Sequence, residues 1–272
     1  MGAGTISAFA RATAVTPLGE GAWRATCDPG WSTNRGPNGG YLAAIVLRAM
    51  LAELDDPARE PRSLTCQYLR PPAPGELRVD VVVERAGRSV SFVTARLSQD
   101  GRPCVLAMAV LSLQLEGALD YAGTPPVVPG PDGLAPAPPV PGLPMTEHFE
   151  VRPALGAPPF AGADEAVTGG WLRFADSELL DAPALAMYAD AWMPSPFARL
   201  RAPVGAPTLD LTVHFRAPAA AAAVAADEPV LAVFRSSTSA DGFFEEDGEL
   251  WTADGVLLAQ SRQLALIVGA AG

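Results

Sequence analysis

The stretch GYLAAIVLRAMLAEL at residues 40–54 decides the fold class, because a long apolar run with few charges predicts a largely buried α-helix. A short strand is predicted before it at residues 23–27. Four segments rich in Val, Leu, Thr and aromatic residues follow, separated by Pro-Gly or Asp-Gly turns: SLTCQYLRP (63–71), ELRVDVVVERAG (76–87), SVSFVTARLSQDG (89–101) and PCVLAMAVLSLQL (103–115). One helix followed by a meander of antiparallel strands predicts an α+β fold rather than a series of βαβ units.

The second half of the chain repeats this order of elements. TGGWLRFAD leads into a predicted helix at residues 177–192, and strands are predicted at 207–218, 228–240, 248–255 and 256–268. Matching motifs recur at offsets of 146, 150 and 154 residues: Arg70 with Arg216, Arg85 with Arg235, and Asp100 with Asp254. We interpret the chain as two copies of one helix-plus-sheet unit, and two unrelated α+β units are the alternative.

A proline-rich connector separates the two copies. Nine prolines lie between Pro125 and Pro144. Because proline removes a backbone donor and fixes φ, we expect neither a helix nor a central strand there, but an extended connector of polyproline II character. The expected segments are an N-terminal repeat at residues 1–120, the connector at 121–146 and a C-terminal repeat at 147–272.

The composition argues against several classes of function. The 272 residues carry 30 acidic and 19 basic side chains, a net charge of −11, and such a chain without basic runs is a poor partner for nucleic acid. Three Cys without a CxxC pair argue against a disulfide framework or a zinc site, and favour a reducing compartment such as the cytoplasm. No apolar run is long enough to predict a membrane span. The chain has two His and lacks the GxSxG, GxxxxGK[ST] and HExxH motifs.

Three polar residues of the second copy are the main candidates for chemistry. By the same offsets, Asp210 corresponds to Leu64, Thr238 to the region of Arg88, and Gln263 to Ala109. A carboxylate, a hydroxyl and an amide in or beside central strands are costly to bury unless they are hydrogen-bonded, so they could surround one water. The alternative is that they are three unrelated residues that face solvent on alternating strand positions.

The segment Asn38-Gly39-Gly40-Tyr41 opens the first helix and is a second candidate. A helix N-terminus presents unpaired N–H groups and a partial positive charge, and glycine lets a ligand approach the backbone closely. Such a site suits an anion or a developing oxyanion. A plain turn with a helix cap is the alternative, and it is the better explanation when these residues are considered alone.

At these residues the chain resembles the acyl-CoA thioesterase II (TesB-like) family. The resemblance rests on PNGGYLAAIVLRA, on SLTCQYLRPP followed by ERAGRSVSFVTARLSQDGRP, and on TLD, STSA and DGVLLAQSRQ in the second half. It implies a double hot dog fold, in which each half wraps an antiparallel sheet around one helix and the two sheets join edge to edge.

The resemblance also implies a mechanism and a site. Asp210, Thr238 and Gln263 would together activate a water, and the amides at the start of the first helix (Gly39, Gly40 and Tyr41) would face the thioester carbonyl. The implied substrate is an acyl-CoA, and neither a metal nor another cofactor is expected. The protein is expected to form a homo-oligomer. Candidates for contact with the anionic CoA are Arg35, Arg62 and Arg88, whereas Arg70 and Arg216 are expected to be structural.

Two other functions stay open at this point. The first is a hot dog protein that binds acyl-CoA or another acyl ligand without turnover. The second is an enoyl-CoA hydratase, which normally needs an acid/base pair such as Asp and His. His214 lies four residues after Asp210, roughly 13 Å along a strand, which is too far for one dyad.

Overall fold

The computed structural model describes residues 6–217 and 223–269. Within them lie the α-helices α1 Ala8–Ala12, α2 Gly39–Leu54 and α3 Ala182–Tyr188, and antiparallel strands pack against α2 and α3. The strands are β1 Thr16–Gly19, β2 Ala22–Cys27, β3 Ser32–Thr33, β4 Gly36–Pro37, β5 Glu60–Tyr68, β6 Gly75–Ala86, β7 Val90–Gln99, β8 Arg102–Ser112, β9 Phe149–Gly156, β10 Ala166–Phe174, β11 Thr208–Phe215, β12 Val230–Ser236, β13 Ser239–Ala240, β14 Phe243–Trp251 and β15 Leu257–Leu266. The helix predicted at residues 40–54 and the four strands predicted after it are confirmed, whereas α1, β1, β3, β4, β9 and β10 were not predicted.

One sheet runs through both halves of the molecule. Its order is β1-β2-β6-β7-β8-β5-β11-β15-β14-β12-β10-β9, with β13 on β14, while β3 and β4 form a separate small ribbon. β5 of the first half pairs antiparallel with β11 of the second, so the halves join edge to edge. This junction between β5 and β11 is called the seam below.

Helix α2 is buried on nearly every side. Asn38 caps it, because its Oδ1 accepts a hydrogen bond from the Tyr41 N–H at 3.0 Å. The helix ends at Asp55, whose left-handed backbone (φ 47°) stops it. A Cβ on Gly40 would lie 2.8 Å from the Met187 carbonyl oxygen, so only glycine permits this approach of α2 to α3.

The second helix is shorter than predicted. The sequence predicts a helix at residues 177–192, but α3 spans only Ala182–Tyr188. Pro183 stands in its first turn and lacks the N–H that a longer helix would need there, and Asp181 caps the start by accepting from Ala184 N–H at 2.8 Å. The prediction was therefore wrong in length though right in place.

The two halves are related by an offset of 147 residues at the seam, not 146. The N–H groups of Leu69 and Arg70 donate to the Cys104 carbonyl, and those of Arg216 and Ala217 donate to the Leu258 carbonyl. β-Bulges occur at the same offset, between Pro61 and Ser63 in one half and between Thr208 and Asp210 in the other. The counterpart of Asp210 is thus Ser63 rather than Leu64, and Arg70 is not the counterpart of Arg216.

The proline-rich connector lies along the outer face of the second half. It contains no β-strand, as predicted, but it has short 3-10 helices at Pro131–Gly133 and Pro144–His148. Val128 and Leu134 pack on an outer apolar cluster that includes Trp171, and the Trp171 indole N–H donates to the Pro129 carbonyl at 2.8 Å. In the part of the chain that the structure describes, no helix is long and apolar enough to cross a membrane.

Candidate active site at the seam

Asp210 lies at the start of β11, directly after the bulge. It is partly buried and is in register with Gln67 on β5 and Leu264 on β15. The pKa of the Tyr68 phenol is raised mainly by burial, and next by the nearby Cys66 and Asp190. The Asp210 carboxylate is close enough to add a smaller contribution to this shift. The Tyr68 hydroxyl donates to the Gly39 carbonyl at 2.8 Å. The structure therefore places Asp210 near the start of α2, across the seam.

Gln263 is buried and its side-chain amide is held at both ends. It is 6% exposed and lies on β15, opposite Leu211 and Glu246. Its Oε1 accepts from the Thr208 hydroxyl at 2.8 Å, and its Nε2 donates to Glu246 Oε1 at 2.7 Å. Each amide atom keeps one unused position, a second N–H and a second lone pair, with which it could hold a water.

Glu246 is a site residue that the sequence analysis missed. It is 3% exposed, and its second oxygen accepts from the Ser195 N–H. Burial, with a smaller contribution from Asp190, raises the pKa of Glu246 to about 7 against hydrogen bonds that lower it. The available signal was its position between Phe244 and Leu250 in the alternating pattern of β14, where a carboxylate replaces an apolar residue.

Thr238 lies in the exposed turn between β12 and β13. The N–H groups of Ser237 and Thr238 donate to Glu245 Oε1 at 2.6 and 3.0 Å. No hydrogen bond between described residues joins the side chains of Asp210, Thr238 and Gln263 to one another. The structure thus places Asp210 and Gln263 on neighbouring strands near the seam, and Thr238 in a turn that Glu245 fixes.

The amides at the start of α2 already have partners. The Gly40 N–H donates to Asp190 Oδ2 at 2.9 Å, and the Asn38 side-chain amide donates to the same oxygen at 3.0 Å. The Tyr41 N–H is used by the Asn38 cap. The Tyr41 side chain belongs to the core, since its hydroxyl donates to the Thr26 carbonyl at 2.8 Å.

Asp190 is the second site residue that the sequence analysis missed. It follows α3 and brings a carboxylate of the second half to the helix start of the first. Burial raises its pKa to about 6, although hydrogen bonds from Gly40, Gly39 and Asn38 oppose the shift. An anion at a helix N-terminus is favourable, and here the protein supplies that anion itself.

The candidate arginines lie in different places. Arg35 is exposed just before α2 and donates to the Gly269 carbonyl at 3.4 Å. Arg62 bonds the Ser112 hydroxyl at 2.7 Å, near the far end of β5, and the Arg88 carbonyl accepts from Arg59 in the same region. Of these three, only Arg35 lies in the segment that leads into α2.

The described grooves lie apart from the candidate site residues. The three cysteines are free and buried, as predicted. A surface groove of about 480 Å³ is lined by residues that include Cys27, Asp28 and Trp31, and none of the predicted site residues borders it. Among the described residues, no group of His, Cys, Asp and Glu has the arrangement of a metal site.

Comparison with known proteins identifies the family. The pattern of the acyl-CoA thioesterase N-terminal domain matches residues 27–112, and that of the C-terminal domain matches residues 128–267. The chain belongs to the acyl-CoA thioesterase family. The two matched domains correspond to the two halves of the sheet, which confirms the predicted TesB-like membership.

Solved structures share this fold, and sequence relatives match nearly the whole chain. A hot dog fold protein of unknown function from Alicyclobacillus acidocaldarius is 28% identical, with a TM-score of 0.90, over 98% of this chain and 100% of its own. The acyl-CoA thioesterase II TesB2 of Mycobacterium marinum shares the fold, with a TM-score of 0.79 at 20% identity over 97% of this chain and 100% of its own. Uncharacterized proteins of Mycobacterium tuberculosis and Mycobacterium bovis are 25% identical over 95% of this chain and 98% of theirs. The predicted α+β double hot dog fold is confirmed.

Proposed function

We propose that this protein hydrolyses acyl-CoA thioesters with a water that Asp210 activates. The observation that carries the proposal is family membership across both halves, and the positions of Asp210 on a seam strand and Gln263 on the next strand support it. We further propose that it acts in the cytoplasm as a homo-oligomer. The mechanism below takes all its groups from the chain itself.

In the proposed reaction, Asp210 accepts a proton as the water oxygen attacks the thioester carbonyl carbon. Gln263 holds that water through its unused N–H or lone pair, and Thr238 joins it from the neighbouring turn. The tetrahedral intermediate then breaks the carbon–sulfur bond. CoA leaves as a thiolate, the acid forms, and the proton held by Asp210 returns to solvent or to the leaving sulfur.

The proposed oxyanion site is the start of α2, at Gly39, Gly40 and Tyr41. Because the Gly40 N–H donates to Asp190, a thioester oxygen would have to exchange with that carboxylate. Release of this bond is easiest when Asp190 is protonated or displaced by the substrate. The oxyanion role of α2 therefore requires a hydrogen bond of the structure to break, whereas the role of Asp210 does not.

The test is thiol release from a panel of acyl-CoAs with C2 to C18 chains, with wild type beside Asp210→Asn. Removal of the base is expected to lower kcat by about 100-fold or more. The matched control is Asp80→Asn, which makes the same change at a partly exposed residue of β6 that pairs with Arg78. Wild-type rates in Asp210→Asn would contradict the proposed role of Asp210.

A second candidate function is binding of an acyl ligand without turnover. It is favoured by the lack of a hydrogen bond, within the described part of the chain, among the side chains of Asp210, Thr238 and Gln263. The engagement of the Gly40 N–H with Asp190 favours it as well. Calorimetric binding of an acyl-CoA without thiol release from any member of the panel would support this alternative and contradict the hydrolase proposal.

A further inference from the structure

Glu246 is a buried carboxylate with neutral hydrogen-bond partners. Gln263 Nε2 donates to one oxygen at 2.7 Å and the Ser195 N–H donates to the other. Among the described residues, no arginine forms an ion pair with it, and on β12 Arg235 forms its ion pair with Glu249 instead. Burial of a carboxylate without a cation is costly, so a residue selected for stability alone would be apolar.

In the first half, the two corresponding positions are occupied by apolar residues. Val93 on β7 pairs with Ala109 on β8, and these two positions correspond to Glu246 on β14 and Gln263 on β15. Both Val93 and Ala109 are fully buried. The same architecture therefore tolerates an apolar pair, and the acid–amide pair needs a reason other than folding.

We propose that Glu246 is a positioning residue that fixes the direction of the Gln263 side-chain amide, and that the proton on Glu246 switches this direction. The inference rests on the proposed function, because Gln263 is the residue proposed to hold the attacking water. Glu246 itself touches neither water nor substrate in this scheme.

The direction of the Gln263 amide depends on which atoms around it donate and which accept. An ionised Glu246 can only accept, so it must face Gln263 Nε2, and Gln263 Oε1 then faces the Thr208 hydroxyl, as observed. A protonated Glu246 can donate to Oε1. The Thr208 hydroxyl can then accept from Nε2, so the reversed amide is satisfied as well. Reversal exchanges the free N–H and the free lone pair presented to the water.

The charges around Glu246 decide where this switch operates. Asp190, after α3, is the charged group that adds to burial in raising the pKa of Glu246 to about 7. The hydrogen bonds that Glu246 accepts from β15 and from the 3-10 helix Ser195–Arg199 come from neutral groups. On β11 the nearby hydrogen-bonding group is the neutral Thr208 hydroxyl, which donates to Gln263. On its own strand, Asp247 is exposed and paired with Arg262. The switch is therefore expected near neutral pH.

The test is the variant Glu246→Gln, with Glu249→Gln as the matched control on the opposite face of β14. The side chain introduced by Glu246→Gln would use its oxygen for the Ser195 N–H and its amide nitrogen toward Gln263, which locks the reversed amide. We expect kcat to fall about 10- to 100-fold with little change in KM. In wild type kcat should rise with pH through about 7, and in Glu246→Gln this step should be absent.

A second measurement does not depend on turnover. The ¹⁵N side-chain resonance of Gln263, assigned from its loss in Gln263→Leu, should shift with pH near 7 in wild type and stay fixed in Glu246→Gln. If no acyl-CoA is hydrolysed, the proposed function fails and this resonance alone decides the role of Glu246. A resonance insensitive to both pH and the substitution would overturn the proposal, as would an unchanged kcat in a hydrolytically active protein.

Discussion

The two halves share one arrangement of strands but differ in what lies beneath their sheets. The first half has the 16-residue helix α2 and the apolar pair Val93–Ala109, whereas the second has the 7-residue helix α3 and the pair Glu246–Gln263. The polar side chains of the second half lie beside the helix start of the first. The hydrophobic core draws on both halves, whereas the buried acid–amide pair comes from the second half, and the candidate site needs residues of both.

The largest expected effect comes from placing the polar pair in the first half. Val93→Glu with Ala109→Gln puts a carboxyl into the apolar core around α2. We expect the free energy of unfolding to fall by more than about 3 kcal/mol, measured by urea denaturation at pH 8. The control Val82→Glu, at a residue 54% exposed on the outer face, should cost less than about 0.5 kcal/mol. An equally mild effect of the double variant would show that the halves are interchangeable.

The reverse exchange tests the cost of the polar pair through its pH dependence. An unfolded Glu246 loses its proton near 4.5, whereas the folded one keeps it to about 7, so ionisation makes wild type less stable as pH rises between these values. Glu246→Val with Gln263→Ala removes this loss. We expect the stability of the variant relative to wild type to improve by roughly 3 kcal/mol from pH 4.5 to pH 8.

Urea denaturation of both proteins at several pH values measures this difference. The prediction concerns how the free energy of unfolding changes with pH, and not its absolute value at one pH. The pKa of Asp190 is also raised, from its ordinary 3.8 to about 6, so its ionisation likewise lowers stability as pH rises between these values. Asp190 is present in both proteins. Parallel pH profiles for the two proteins would mean that Glu246 titrates normally. The double variant should also lose hydrolysis, since it removes Gln263.

The comparison also shows what the sequence could predict. The repeat, the helix at residues 40–54 and most strands were predicted, because periodicity and turn residues are local signals. The offset was wrong by one at the seam, because Arg70 was matched to Arg216 by residue type, whereas the hydrogen bonds to the Cys104 and Leu258 carbonyls make Leu69 the counterpart of Arg216. Gln263 was found as a polar residue in an apolar strand, but its partner Glu246 was missed because only the β14–β15 ladder brings them together.

Asp190 was not predicted as a site residue for a related reason. It lies 150 residues from Gly40, and only the packing of α3 against α2 brings its carboxylate to the helix start. The amides of Gly40 and Tyr41 were expected to be free, whereas the fold gives both a side-chain partner. Free amides cannot be predicted from a local motif when the acceptor comes from the other half of the chain.

A smaller effect is expected on the outer face, where the connector covers only the second half. Trp171→Phe removes the hydrogen bond to the Pro129 carbonyl and should cost about 1 kcal/mol of stability, with faster proteolysis of the connector. Met108→Gln, at an exposed residue of the uncovered first half, should be close to neutral. Equal effects in urea denaturation would indicate that the connector adds no stability to the second half.

The smallest expected effect concerns substrate contact at the seam. Arg35→Ala should raise KM for acyl-CoA about two- to five-fold without changing kcat, because one exposed charge contributes at most about 1 kcal/mol. Arg88→Ala is the control, since Arg88 is equally a surface arginine but lies at the far end of the first-half sheet. The measurement is steady-state kinetics at low and high salt.

A truncated substrate separates the two explanations for such a change. An acyl thioester of N-acetylcysteamine lacks the phosphates of CoA, so Arg35→Ala and wild type should hydrolyse it equally if Arg35 acts through those phosphates. A loss that persists on the truncated thioester would instead mean that Arg35 supports the chain around Gly205, where its guanidinium packs. In that case the seam would orient the acyl group, and CoA recognition would have to come from other residues.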